Sequence, residues 1–194
     1  MTMPSSIAVF CGSKPGHDPA QMEAAQALGR GMATRGIRLV YGGGRVGLMG
    51  AVADAVQKAG GKVTGVIPEF LMKREVGNSN VDELEVTDSM HSRKRRMFEL
   101  SDAFVSLAGG LGTLDETVEI ITWKQLHLHS KPIVIISVDG YWDFMKSATQ
   151  DFMDAGFAYA SDADLFEIVP SVDAAFDALE KAAPDAGGGQ EHRL

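Results

Sequence analysis

MHSRKRRMFELSDAFVSLAGGLGTLDE, residues 90–116, passes from a helix-forming segment to a strand and then to a glycine loop that opens a second helix. Met90 to Leu100 holds good helix formers behind a cap at Asp88 or Ser89, and Ala103 to Leu107 is an apolar run suited to a buried parallel strand. Gly109-Gly110-Leu111-Gly112-Thr113 lets the backbone turn sharply, and Leu114, Val118, Ile121 and Thr122 carry the spacing of the next helix. Successive backbone N–H groups free of side chains, at the positive end of a helix, make an anion site suited to a phosphate.

Two positions in this stretch could carry chemistry. Thr113-x-x-Glu116 has the spacing of a capping box on the first turn of the second helix, in which the carboxylate only closes the helix end. The alternative is a carboxylate presented at the anion site. Arg93-Lys94-Arg95-Arg96 reads either as a solvated basic face or as a local site. Four consecutive residues point around the whole helix, so they cannot all serve one site; Arg93 shares a face with Met97.

Working outward toward the N-terminus, Ile7 to Phe10 is a strand followed by the turn-rich Cys11-Gly12-Ser13-Lys14-Pro15-Gly16. Ser13 and Lys14, just past a strand's carboxyl end, are placed to contact a nucleotide. Asp18-Pro19 opens a helix with an acidic cap and proline at its first position. Arg38 to Tyr41 is the second strand, and Gly42-Gly43-Gly44-Arg45-Val46-Gly47 then satisfies G-x-G-x-x-G. That raises a rival reading, dinucleotide binding, with Glu69 near the place of the ribose acid. Pro68 directly before Glu69 and the position after the second strand argue against it. Cys11 has no evident paired histidine and reads as a small packed thiol.

Lys62 to Ile67 is a third strand, and Pro68 to Asn80 a polar excursion holding Glu69, Lys73, Arg74 and Glu75, the last an exposed acid near two basic residues. Leu84 to Val86 is a short strand without an assigned place. Toward the C-terminus, Trp123 reads as core; His127 and His129 lack a third metal ligand and read as solvent or dimer contacts. Ile133 to Val138 is a strand, Asp139-Gly140 a turn, Tyr141 to Ala155 a helix, Phe166 to Val169 a strand and Val172 to Ala182 a helix. Alternating strands and helices predict an α/β fold, a doubly wound, mainly parallel and Rossmann-like sheet, with the loops after Phe10 and Leu107 meeting at a ligand crevice. Residues 1–183 form one domain, and 184–194, with three glycines, a disordered tail.

The 194 residues, 45% hydrophobic and 23% charged, suffice for one buried core and are short for two. A formal net charge of -8 disfavours nucleic acid as a partner, because a phosphate backbone is repelled overall. One cysteine excludes an internal disulfide, and no Cys/His set suggests a metal. With no apolar run of spanning length and no signal-peptide core, the expectation is a cytoplasmic protein without membrane contact.

Met90-His91-x-Arg93-Lys94 followed by Gly109-Gly110-x-Gly112-Thr113-x-x-Glu116 resembles the Lonely Guy (LOG) family, the cytokinin riboside 5'-monophosphate phosphoribohydrolases, once widely labelled lysine decarboxylases. Cys11-Gly12-Ser13, Gly42-Gly43-Gly44, Gly47-Leu48-Met49-Gly50, Pro68, Glu75 and Asp139-Gly140-Tyr141 extend the resemblance over most of the chain. The family usually has proline before the paired glycines; Ala108 stands there and removes the fixed φ. The resemblance implies hydrolysis of the N-glycosidic bond of AMP or an N6-substituted AMP, with Glu116 and Arg93 catalytic. It implies substrate contacts from Ser13, Glu75, Met90, Arg93, Lys94, Gly109, Gly110, Leu111, Gly112, Thr113 and Thr122. It implies no cofactor or metal, and a homodimer or dimer-based oligomer. A noncatalytic nucleotide or cofactor carrier using the same loop is the alternative. Lysine decarboxylation needs pyridoxal phosphate on a lysine, and no residue pattern identifies one.

Overall fold

The computed structural model describes residues 3–75, 77, 78 and 80–182, the side chains of residues 73–75 excepted; the tail expected at 184–194 lies outside them. Seven strands, β1 (Ser6–Phe10), β2 (Arg38–Tyr41), β3 (Val63–Pro68), β4 (Glu83–Thr87), β5 (Ala103–Ser106), β6 (Ile133–Ile136) and β7 (Glu167–Val169), form one sheet in the order β4-β3-β2-β1-β5-β6-β7. Every neighbouring pair is parallel. Among the described residues six α-helices connect them, α1 (Pro19–Thr34), α2 (Gly47–Lys58), α3 (Glu69–Glu75), α4 (Met90–Glu99), α5 (Leu111–Gln125) and α6 (Phe144–Asp154), and α7 (Val172–Ala182) follows β7.

The two sheet faces follow from the side-chain alternation of a strand. On β1, Ile7 and Val9 join Leu28 and Met32 of α1, Val52 and Val56 of α2 and Phe176 of α7 in one core. Ala8 and Phe10 turn to the opposite face, with Met97 of α4 and Ile120 of α5. Asp18 caps α1 by accepting the Ala20 N–H at 2.9 Å, with Pro19 as its first residue. Strand order reverses between β1 and β5, whose ends are level, Phe10 opposite Ser106. The crevice of a doubly wound sheet opens at that place, and the Gly12 N–H reaches the Ala108 carbonyl across it at 2.9 Å.

Some elements differ from the expectation. The Pro68–Asn80 excursion contains α3, because Phe70, Leu71 and Met72 supply helix formers that its polar neighbours obscured. The unplaced Leu84 segment is the edge strand β4, pinned by Asp82, whose carboxylate accepts the Val63 N–H at 3.0 Å and pairs with Lys62 at 2.7 Å. The helix expected from Tyr141 starts at Phe144, after Asp139 and Gly140 adopt left-handed φ of 51° and 77°. His129 is half-buried within the chain: it edges onto Phe98 and Phe104, its Nε2 3.0 Å from the Ile120 carbonyl.

Candidate active site

The chain leaves β5 through the buried Leu107 and Ala108 and enters α5 at Leu111, with Gly110 as the cap and no side-chain bond at that end. The first intrahelical bond runs from the Leu114 N–H to the Gly110 carbonyl at 3.0 Å. The N–H groups of Leu111, Gly112 and Thr113 therefore point out of the helix end, where the helix dipole is positive. Gly109 is required: a Cβ there would overlap the Thr113 side chain, itself only 4% exposed beneath the loop. This overturns the capping-box reading. Thr113 is the third helical residue rather than the cap, and Glu116 lies in the second turn with no orphan N–H to serve.

Glu116 instead faces Arg93. A Ser89 and Ser92 capping box fixes the start of α4, and one turn later Arg93 turns inward beneath Gly42, where a Cβ would overlap its Nη2. Arg93 is 6% and Glu116 8% exposed, and Arg93 Nη2 stands 3.4 Å from Glu116 Oε1. That is wide for a charge-assisted bond, which closes to about 2.7–2.9 Å. Arg93 Nη1 reaches the Met90 sulfur at 3.7 Å, and its Nε has no partner among the described residues. Burial pushes the Glu116 carboxyl above the ordinary carboxylate range, with the Arg93 charge opposing it. The pair is a desolvated base and a guanidinium with unspent donors, and such groups favour a polar ligand placed between them.

The rest of the basic run separates into different pairs, as its rotation around the helix requires. Lys94 lies between Asp115 at 3.1 Å and Glu119 at 3.0 Å; burial works against its charge, but the two carboxylates outweigh it and raise its pKa. Arg95 pairs with Glu99 at 2.9 Å and Arg96 with Glu85 at 2.6 Å. Thr122 is not brought to the pair: it is exposed, its hydroxyl donates to the Val118 carbonyl at 2.9 Å, and it stands about 9 Å beyond Glu116 along the helix axis. Glu75 ends α3, and its side chain is not among the described ones. Sequence reasoning did not single out Asp115 and Glu119, the carboxylates that hold Lys94 beside the loop.

Ser13 lines a cavity of about 660 Å³ with Lys14, Gln21, Gly109, Gly110 and Tyr141. It opens on the α1 side of the crevice, whereas Arg93 and Glu116 belong to α4 and α5 on the other face. The G-x-G-x-x-G segment is spent on structure. Gly47, at φ 64°, packs against the Ser13 backbone, and the Leu48 and Met49 N–H groups donate to the Gly12 carbonyl at 3.0 and 3.3 Å. Those are the donors a dinucleotide pyrophosphate would need, so that rival loses its site. Among the described residues no group of three or more His, Cys, Asp or Glu is arranged to hold a metal, and no helix is long and apolar enough to cross a membrane.

A parallel α/β sheet with a bare helix N-terminus and a buried Arg–Glu pair at its switch point is the frame of a nucleotide-handling protein. A family model described as possible lysine decarboxylase matches residues 49–179. The chain is 45% identical over 178 residues to a probable cytokinin riboside 5'-monophosphate phosphoribohydrolase of Oryza sativa subsp. japonica, covering 92% of this chain and 78% of the relative. It is 42% identical over 178 residues to a cytokinin riboside 5'-monophosphate phosphoribohydrolase of Arabidopsis thaliana, covering 92% and 83%. The protein belongs to this family, the one its motifs resemble. Among solved structures, the molybdenum cofactor carrier protein of Chlamydomonas reinhardtii is similar at TM-score 0.68 and 25% identity, over 91% of this chain and 96% of that one.

Proposed function

We propose that the protein is a phosphoribohydrolase that cleaves the N-glycosidic bond of AMP or an N6-substituted AMP, releasing the free base and ribose 5-phosphate. The observation that carries the chemistry is the buried, loosely joined Arg93–Glu116 pair beside the bare end of α5. The 5'-phosphate sits on the N–H groups of Gly110 to Thr113, with the helix dipole behind it. As the bond from C1' to the base nitrogen breaks, its electron pair leaves with the base and positive charge builds on the ribose ring. The Glu116 carboxylate stabilises that charge and takes a proton from the attacking water, whose oxygen bonds to C1'; the departing base takes up a proton from solvent, and Glu116 returns its own to solvent. A carboxyl raised by burial is a stronger base than an exposed one, which suits this role. Arg93 orients the nucleotide and balances charge on the departing base; its own proton is held too tightly to be given up.

Residues 1–183 act as one domain, in the cytoplasm and as a homodimer or a dimer-based assembly. Leu111, 85% exposed, and Val118, 43% exposed, flank a groove of about 390 Å³ on α5 that also includes Leu114. An apolar strip at that spacing suits a second copy of the helix. Incubation with AMP and N6-substituted AMP, followed by assay of free base, tests the activity. Tight nucleotide binding with no base released from either would make the protein a carrier.

A further inference from the structure

We infer that Tyr141 is a positioning residue for the phosphate loop; the inference rests on the phosphate assignment above. Three successive carbonyls at the exit of β5 are each held by a donor from another part of the chain. The Leu107 carbonyl accepts the Trp142 indole N–H at 3.1 Å, the Ala108 carbonyl accepts the Gly12 N–H at 2.9 Å, and the Gly109 carbonyl accepts the Tyr141 hydroxyl at 2.5 Å.

A trans peptide directs its N–H opposite to its C=O. Pinning the Gly109 carbonyl therefore aims the Gly110 N–H away from Tyr141, and pinning the Ala108 carbonyl aims the Gly109 N–H away from Gly12. Those bonds matter because Ala108 does not restrict φ as proline does and neither glycine has a Cβ to limit its backbone.

The donors are themselves held. Trp142 is 2% exposed; its backbone N–H donates to the Ser137 hydroxyl at 2.9 Å, and that hydroxyl donates to Asp143 at 2.8 Å. Asp139 and Gly140, consecutive residues in the left-handed region, turn the chain so that Tyr141 and Trp142 both face the β5 exit. Tyr141 is 46% exposed, and its ring stacks edge-on against Trp142 at 5.2 Å. Its hydroxyl can thus be removed without emptying a core site.

The experiment is Tyr141→Phe in the full chain, titrated calorimetrically with inorganic phosphate, AMP and adenosine and assayed for base release. Loss of one neutral hydrogen bond that orders a binding loop weakens phosphate and AMP by roughly threefold to tenfold, with adenosine unchanged. KM for AMP rises by the same factor, and kcat changes less than KM. Unchanged phosphate affinity overturns the inference, as does an equal loss for adenosine, which would mark general damage. The hydrolase reading fails separately: if the unmodified protein releases no base from AMP while Tyr141→Phe still weakens phosphate selectively, the loop assignment stands and the reaction does not.

Discussion

Replacing Glu116 by glutamine removes one charge from a site where the carboxylate is 8% exposed and 3.4 Å from Arg93. Gly110 caps α5, so the loss of about 1 kcal/mol that follows removal of a helix cap does not arise. Two opposed effects on stability remain. Burial already disfavours the charged carboxyl, which the neutral amide relieves, whereas Arg93 loses its counter-charge. Stripping one partner from a buried pair costs about 3–5 kcal/mol when nothing replaces it. Because the glutamine oxygen keeps an acceptor within reach of the guanidinium, destabilisation stays below about 3 kcal/mol, a fall in Tm of roughly 6–12 °C at most. The barrier responds on another scale: a positioned base supplies about a hundredfold to ten-thousandfold, or roughly 3–5 kcal/mol. Free-base release from saturating AMP, with AMP binding measured by calorimetry and folding by thermal melt, separates the two. A variant that binds AMP and releases base at close to the normal rate, with only its Tm lowered, would show that Glu116 merely neutralises Arg93 and would refute the mechanism.

The pH profile gives a second check. Glu116 must be ionised to act and its carboxyl is held above its ordinary 4.5, so base release should fall as pH drops through a midpoint above that value. Arg93→Gln should move the midpoint further up, because Arg93 opposes the shift; an unmoved acid limb would assign it to another group. For stability the sign is opposite: the folded state binds the extra proton, so stability falls as pH rises from 4.5 toward the folded value, a slope that Glu116→Gln should abolish. The phosphate should be obligatory, and turnover of adenosine equal to that of AMP would remove the role of the Gly110 to Thr113 loop. Val118→Lys, in the exposed strip of α5, should convert a dimer mass in light scattering to a monomer mass; an unmodified chain that is already monomeric at micromolar concentration would refute the dimer.

The sheet was legible because its signals are local. Ile7 to Phe10 and Ile133 to Ile136 are apolar runs buried along their length, Leu39 to Tyr41 is another behind Arg38, and Asp18-Pro19 states the start of α1 in two adjacent residues. Arg93 and Glu116 were legible as candidates, but their pairing was not. Thr113-x-x-Glu116 matched a capping box because a glycine cap leaves no side-chain signal, so the true start of α5, three residues earlier, had no mark in the sequence. Which of four consecutive basic residues turns inward depends on where α4 sits over the sheet. Arg93 is buried because Gly42, fifty-one positions earlier, has no Cβ to exclude it, and because Glu116, on the next helix, gives its charge a partner. The loop shows the same dependence: Ala108 read alone suggests a looser turn than proline, yet donors from Gly12, Tyr141 and Trp142, each contributed by a neighbouring strand's exit, hold its carbonyls. Local chemistry thus chose the strands and most helix ends. Contacts between segments far apart in the chain, which no window of residues contains, hold the carbonyls of the glycine loop and bring Arg93 to a carboxyl raised by burial.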